Sequence, residues 1–236
     1  MKTNGLFLLF AILCFASCEK MADRCPDGAV DLGIVMTRED GSTYKLYWAK
    51  CNLGASTEEA FGDYYSWGET QPKSVYSIDN YKWYNGSIEK ITKYCQNENG
   101  KDHCWAGTGC PDNNRKLDPE EDVVRVKLGG KWRLPTREEV AALITKCNWV
   151  PAARNGVLGY EVSSMAEGNT NSIFLPLAGF KANDETLGVG QSGEYLSSSL
   201  SSKTAQTAVG LCFNYVNIIG DDIFRSYGAP VRPVSE

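Results

Sequence analysis

One stretch constrains this chain more than any other: Gly129-Gly130-Lys131-Trp132-Arg133-Leu134-Pro135-Thr136-Arg137-Glu138-Glu139-Val140. It reads as a strand end, a sharp corner and a helix start. Thr136 is an N-cap residue, because its hydroxyl can accept from the orphan amide three residues on. Glu139 stands at that position and can reach back to the Thr136 amide, which completes a capping box. Val140, Leu143, Ile144 and Cys147 then recur at helical spacing on one face. The two glycines before Trp132 permit a turn that a side chain would block. The corner therefore reads as a structural device that holds a core.

The amino terminus carries an address. Lys2 precedes an unbroken apolar run over residues 6–15. Ten residues are too few to span a bilayer, which takes about 20, but they suit the apolar centre of a secretory signal. Ala16 and Ser17 before Cys18 resemble the lipobox of bacterial lipoproteins, with Phe15 in place of the usual leucine. That resemblance implies cleavage before Cys18 and lipid on that residue. Each buried methylene of an acyl chain contributes about 0.8 kcal/mol, so several chains anchor stably. Residues 1–17 are then a signal peptide, 18–27 a tether and 28–236 one domain. Loss of Lys2 takes the net charge from −5 to −6. A mildly acidic surface argues against nucleic acid, which selects a basic face.

Nine cysteines are present, of which Cys14 and Cys18 belong to the export segment. An exported chain can form disulfides. The seven remaining thiols are an odd number, so at least one stays unpaired in a monomer. Cys104 and Cys110, separated by five residues in a glycine-containing loop, are the best-placed pair. Cys51, Cys147 and Cys212 sit in apolar settings that suit plain thiols.

Along the chain, residues 30–36 and 44–49 read as strands joined by the Glu39-Asp40-Gly41 turn. Residues 71–117 are irregular, broken repeatedly by proline and by Asn-Gly pairs. Asp118-Pro119-Glu120-Glu121 reads as the opening of a short helix with Asp118 as N-cap, stopped by Gly129-Gly130. A second helix runs from Arg137 to about Cys147. Asn155-Gly156 marks a turn. Residues 157–164, 172–180, 194–200 and 207–215 read as strands, with Pro176 indicating an edge or bulge. Residues 229–234 read as a terminal strand whose pairing Pro230 and Pro233 limit.

Several motifs recur in a family order: Val30-Asp31-Leu32-Gly33, Trp48-Ala49-Lys50-Cys51-Asn52-Leu53-Gly54-Ala55 and Gly62-Asp63-Tyr64-Tyr65-Ser66-Trp67-Gly68-Glu69. Lys93-Tyr94-Cys95, Leu117-Asp118-Pro119-Glu120-Glu121-Asp122 and the Trp132 corner follow. Ser172 to Phe180, Gly193-Glu194-Tyr195-Leu196-Ser197-Ser198-Ser199 and Val231-Arg232-Pro233-Val234 close the series. Together they resemble the Fibrobacter succinogenes major paralogous domain, found in surface lipoproteins of Bacteroides-type bacteria. The Arg-Leu-Pro-Thr corner with a terminal Val-Arg strand also resembles C-type lectin-like and formylglycine-generating-enzyme folds. The resemblance implies an α+β domain, C-type lectin-like, with two short helices, a twisted antiparallel sheet, long irregular loops and neighbouring chain ends. Fold likeness by itself carries no activity.

Chemistry-bearing residues are sparse. His103 is the only histidine. With Cys104 and Cys110 it lacks the fourth ligand and paired spacing of a zinc site. No serine lies in a nucleophile elbow, and no cysteine lies in a formylglycine-type motif. Asn183-Asp184-Glu185 and Asp221-Asp222 match no lectin calcium motif and suit solvated turns. No cofactor is expected. The residue mix over 213–227 stands above background, since aromatic and small polar groups on a loop make adaptable contacts. A wide hairpin with inward-packed rings reads equally well. Trp83, Trp105, Tyr215 and Tyr227 are therefore candidate contact residues, with Asn217, Asp221 and Asp222 as polar partners. The expected role is a non-catalytic binding module for a glycan or surface protein. A structural envelope or fimbria-associated subunit and an enzyme of the formylglycine-generating type are the alternatives.

Overall fold

The computed structural model describes residues 25–95, 97–98, 101–102, 112 and 114–236. The expected corner forms the hub. Thr136 Oγ1 accepts from the Glu139 amide at 3.3 Å, and the Thr136 amide donates to Glu139 Oε2 at 2.8 Å. The capping box starts helix α2, Arg137–Lys146. Val140 and Leu143 are buried on its inner face.

Helix α1, Val123–Leu128, begins one turn later than the sequence reading places it. Asp122 is its cap, accepting from the Val124 and Arg125 amides. The same carboxylate accepts from the Leu134 amide, so one buried side chain joins α1 to the corner. Asp118 instead sits in a preceding turn and ion-pairs with Lys93 at 2.7 Å. A buried carboxylate is stabilised most where it satisfies most orphan amides, and that position is 122.

Two further strands attach here. β1 (Ala29–Thr37) and β2 (Thr43–Ala49) form the expected hairpin. A two-residue pair, β3 (Asn97–Glu98) and β4 (Lys101–Asp102), stands apart in the irregular middle. Trp48 of β2 pairs with Val30 on one side and Val234 on the other. The described ends of the chain therefore flank one strand, about 10 Å apart at the usual strand spacing. Arg133 and Val234 exchange backbone hydrogen bonds at 3.0 and 2.9 Å, which locks the corner to the chain end.

The strands are distributed over several small antiparallel sheets rather than one. β5 (Cys147–Arg154), β6 (Val157–Ser164) and β7 (Ser172–Pro176) form one. The sequence does not suggest β5, because Pro151 disguises it; as an edge strand it tolerates the missing amide. The β5–β6 turn is Asn155-Gly156, both with positive φ, as a two-residue hairpin requires. The expected strand over 172–180 ends at Pro176, and the chain turns at Gly179. A Cβ there would lie 1.9 Å from the Leu187 carbonyl oxygen, so only glycine fits. The chain resumes as β8 (Phe180–Ala182), paired with β9 (Glu185–Leu187).

β10 (Ser192–Leu200), β11 (Thr207–Asn214) and β12 (Ile218–Phe224) form the last large sheet. Ser198 and Ser199 dock β10 on the corner. The Ser198 amide donates to the Pro135 carbonyl at 2.8 Å, and Ser199 Oγ accepts from the Arg137 amide at 3.0 Å. The expected terminal strand shrinks to β13, Val234–Ser235, with Pro230 and Pro233 just upstream.

Two buried arginines rivet the interior without a carboxylate. Arg225 donates to Tyr81 Oη and to the carbonyls of Lys93, Tyr94 and Ala205. Arg232 donates to Asn52 Oδ1 and to the carbonyls of Ala49, Lys50 and Phe174. Burial of a guanidinium is tolerable where its donors are met.

Candidate binding surface

Trp83 is a correction. It is buried, 6 % exposed, and not a surface contact. Its ring packs edge-on against Trp67, Tyr81 and Tyr94, and this aromatic box encloses the Arg225 guanidinium. A buried cation fixed over several π faces is held more strongly than an exposed one. The irregular middle of the sequence thus contributes core, which periodicity could not reveal. Trp105, with His103, Cys104 and Cys110, lies outside the described residues, as does Cys18.

The stretch 213–227 is mostly strand. Residues 218–224 form β12 at the sheet edge, so the loop reading of this stretch is corrected. The tip is the turn Asn214 to Asn217, in which Asn214 Oδ1 accepts from the Val216 and Asn217 amides at 2.8 and 2.9 Å. Tyr215 is 54 % exposed and Val216 is exposed beside it. Asn217 is exposed at the same tip.

Behind the tip lies a cavity of about 260 Å³, lined by Glu194, Cys212, Asn214, Asn217, Ile219 and Asp221 among others. Register places Glu194 beside Cys212, and Cys212 beside Ile219, on neighbouring strands. Burial pushes the Glu194 carboxyl up to about 6. Among the described residues it has no side-chain partner. Burial first, then the Glu194 and Asp221 charges, push the Cys212 thiol up to about 12. A thiol in that state is neutral at physiological pH and a poor nucleophile.

Asp221 and Asp222 point to opposite faces of β12, as the two-residue period requires. Both reach Lys203 Nζ, Asp221 at 3.2 Å and Asp222 at 3.6 Å, and Asp222 also accepts from Thr207 Oγ1 at 3.3 Å. Both carboxylates are thus engaged by a lysine of the chain itself. Among the described residues, no three His, Cys, Asp or Glu side chains cluster closely enough to hold a metal ion.

Tyr227 belongs to a different grouping at the far end of β12. Its ring stacks on Phe180, centroids 5.6 Å apart and planes 4° apart. Phe224, 47 % exposed, leans on Tyr227 at 5.0 Å. Phe180 and Leu187 are register partners on β8 and β9, and Leu187 is exposed. Backbone bonds between Lys181 and Gly228, at 2.6 and 2.9 Å, fix the strip. The strip therefore runs Leu187, Phe180, Tyr227, Phe224, with Leu187 and Phe224 exposed and Phe180 and Tyr227 half-buried between them. Ile218 and Phe224 bound β12, so Tyr215 stands about 20 Å from it at the usual rise per residue.

Sequence reading misses Phe180 and Phe224. The alternation in β12 does mark Phe224, which is the outward neighbour of buried Ile223. Nothing local marks Phe180, because its partner ring comes from 47 residues along the chain.

Comparison of the chain with protein-family models, curated proteins and solved structures returned no match.

Proposed function

We propose that this chain is a non-catalytic binding module, displayed at a bacterial cell surface through lipid on Cys18. In this reading its α+β domain is lectin-like, of the Fibrobacter succinogenes major paralogous type. One observation supports binding above the rest: the aromatic strip of Phe180 and Phe224 on strand ends and Tyr227 in the turn after β12, fixed by backbone hydrogen bonds. Pre-set rings lose little entropy on contact. A shallow aromatic surface accepts the apolar face of a sugar ring while the sugar's hydroxyls stay wet. The ligand class is therefore a surface or environmental glycan.

A glycan array probed with wild type and with Phe224→Ala and Tyr227→Ala tests this reading. Saturable glycan binding that both substitutions abolish is the expected result. Absence of any glycan binding, or binding indifferent to both substitutions, refutes it. Intact mass of membrane-extracted protein tests the anchor, and an unmodified Cys18 in the mature chain refutes it.

The alternative role as an envelope or fimbria-associated subunit draws on β12, a seven-residue strand at a sheet edge. Edge strands invite pairing with another chain. Here Asp221, Asp222 and Lys203 place charge along it, the usual guard against such pairing. The glycan reading is preferred for that reason.

A further inference from the structure

A second cavity, of about 370 Å³, opens beside the β1–β2 hairpin. Three separate elements build it. The hairpin contributes Arg38 and Lys45, α1 contributes Arg125, and the turn after α1 contributes Lys131. Gly129 and Gly130 both have positive φ, at 66° and 58°, and that turn carries Lys131 to the rim. Four cations thus converge in a chain whose net charge is −5. Among the described residues, the lining holds one side-chain carboxylate, Glu236.

Among the described residues, three of these cations each meet a carboxylate, two of them only loosely, and the fourth meets none. Glu236 is held by Arg38 and approached by Arg133 Nε at 3.8 Å. Lys45 has only a loose partner, Asp31 at 3.7 Å. Arg125 Nε is 3.8 Å from Asp122, whose oxygens already serve three backbone amides. Lys131 has no carboxylate partner among the described residues. A concave wall that carries four cations and one carboxylate keeps a net positive charge and focuses the field inward. Tyr44 adds an aromatic face, over which the Arg38 guanidinium sits at 4.4 Å.

From this geometry we infer an anion-binding site, separate from the aromatic strip, for a tetrahedral oxyanion carried on a sugar-sized body. The volume lies at the lower end of the range for small-molecule sites, far above what a single halide fills. Arginine forks meet sulfate and phosphate oxygens in pairs, and lysine adds a mobile point charge. Sulfate esters of a polysaccharide and phosphate esters of a lipid or sugar share this chemistry. The site does not depend on the glycan role of the strip.

Titration calorimetry with defined probes tests the inference. The probes are a sulfated disaccharide, glucose 6-phosphate and unsubstituted glucose. Saturable binding of a charged probe, none of glucose, and weakening as salt rises from about 20 to about 300 mM are expected. Lys131 lies outside the buried network and Arg125 approaches it only at 3.8 Å from Asp122, so Lys131→Gln and Arg125→Gln should each weaken binding about tenfold. Phe224→Ala should leave it unchanged, which separates this site from the strip. The sulfated and phosphorylated probes compared with each other identify the source. No saturable binding of either charged probe, or full binding in the Arg125→Gln/Lys131→Gln double variant, overturns the assignment.

Discussion

The Arg133 guanidinium holds both carboxylate oxygens of Glu139, at 2.7 and 2.6 Å, with both side chains buried. Glu139 also closes the capping box through the Thr136 amide and accepts from Tyr44 Oη at 2.7 Å. One carboxylate thus joins helix α2, the corner and the β1–β2 hairpin. Breaking one member of a buried pair strands the other charge, at a cost of about 3–5 kcal/mol. Glu139→Gln should therefore destabilise by that order in urea melts. Thr136→Ala removes only the cap and should cost about 0.5–2 kcal/mol. Equal losses in the two variants would refute the claim that the ion pair stabilises the corner more than the cap does.

The same pair contributes to the acid limit. Burial alone would raise the Glu139 carboxyl, but the Arg133, Thr136 and Tyr44 contacts outweigh it and hold it below its ordinary value. A carboxylate depressed in the folded state contributes stability that is complete above its unfolded pKa. That contribution is lost as pH falls through the folded value. Wild type should lose stability steadily below about pH 4.5, the ordinary value. Glu139→Gln should show a flatter acid limb. An acid limb of unchanged slope in this variant would contradict the assignment.

Glu194 has the opposite sign. Its folded value, about 6, lies above the ordinary 4.5. Between those values the folded state binds more protons than the unfolded, so stability falls as pH rises through the window. Glu194→Gln should therefore raise Tm at pH 7 and leave it nearly unchanged at pH 4. A Tm gain of the same size at both pH values would show that burial of the charge is not the cause.

The corner is legible in the sequence because its signals are local: a cap, an acid three residues on, and a helical apolar period. The hairpin of β1 and β2 and the turn at Asn155-Gly156 are legible for the same reason. The N-cap of α1 is not, because Asp118 and Asp122 are equivalent locally, and only the distant Leu134 amide and Lys93 separate their roles. Trp83 reads as a surface residue because an irregular segment has no period to distinguish inside from outside. Its environment comes from Trp67, Tyr94 and Arg225. The two candidate sites are hidden likewise, since each is assembled from elements remote in sequence.

Trp83→Ala gives the direct check on that correction. Truncating a buried tryptophan costs about 3–5 kcal/mol, and this one also removes a ring from the wall around Arg225. The variant should melt far below wild type. A variant of wild-type stability would return Trp83 to the surface.

Phe224 and Tyr227 should behave in the reverse way. Phe224 is half exposed, and its truncation removes little buried area. Phe224→Ala should shift stability by about 1 kcal/mol or less. Tyr227→Ala removes the ring that contacts both Phe180 and Phe224, worth about 0.5–1.5 kcal/mol for an aromatic pair beyond its area. Both variants should remain folded at about 25 °C yet lose glycan binding. Tyr215→Ala, at the far tip of the β11–β12 hairpin, should keep it. Binding that survives Phe224→Ala and Tyr227→Ala but fails in Tyr215→Ala would move the contact surface from the strip to the tip and its Glu194 cavity.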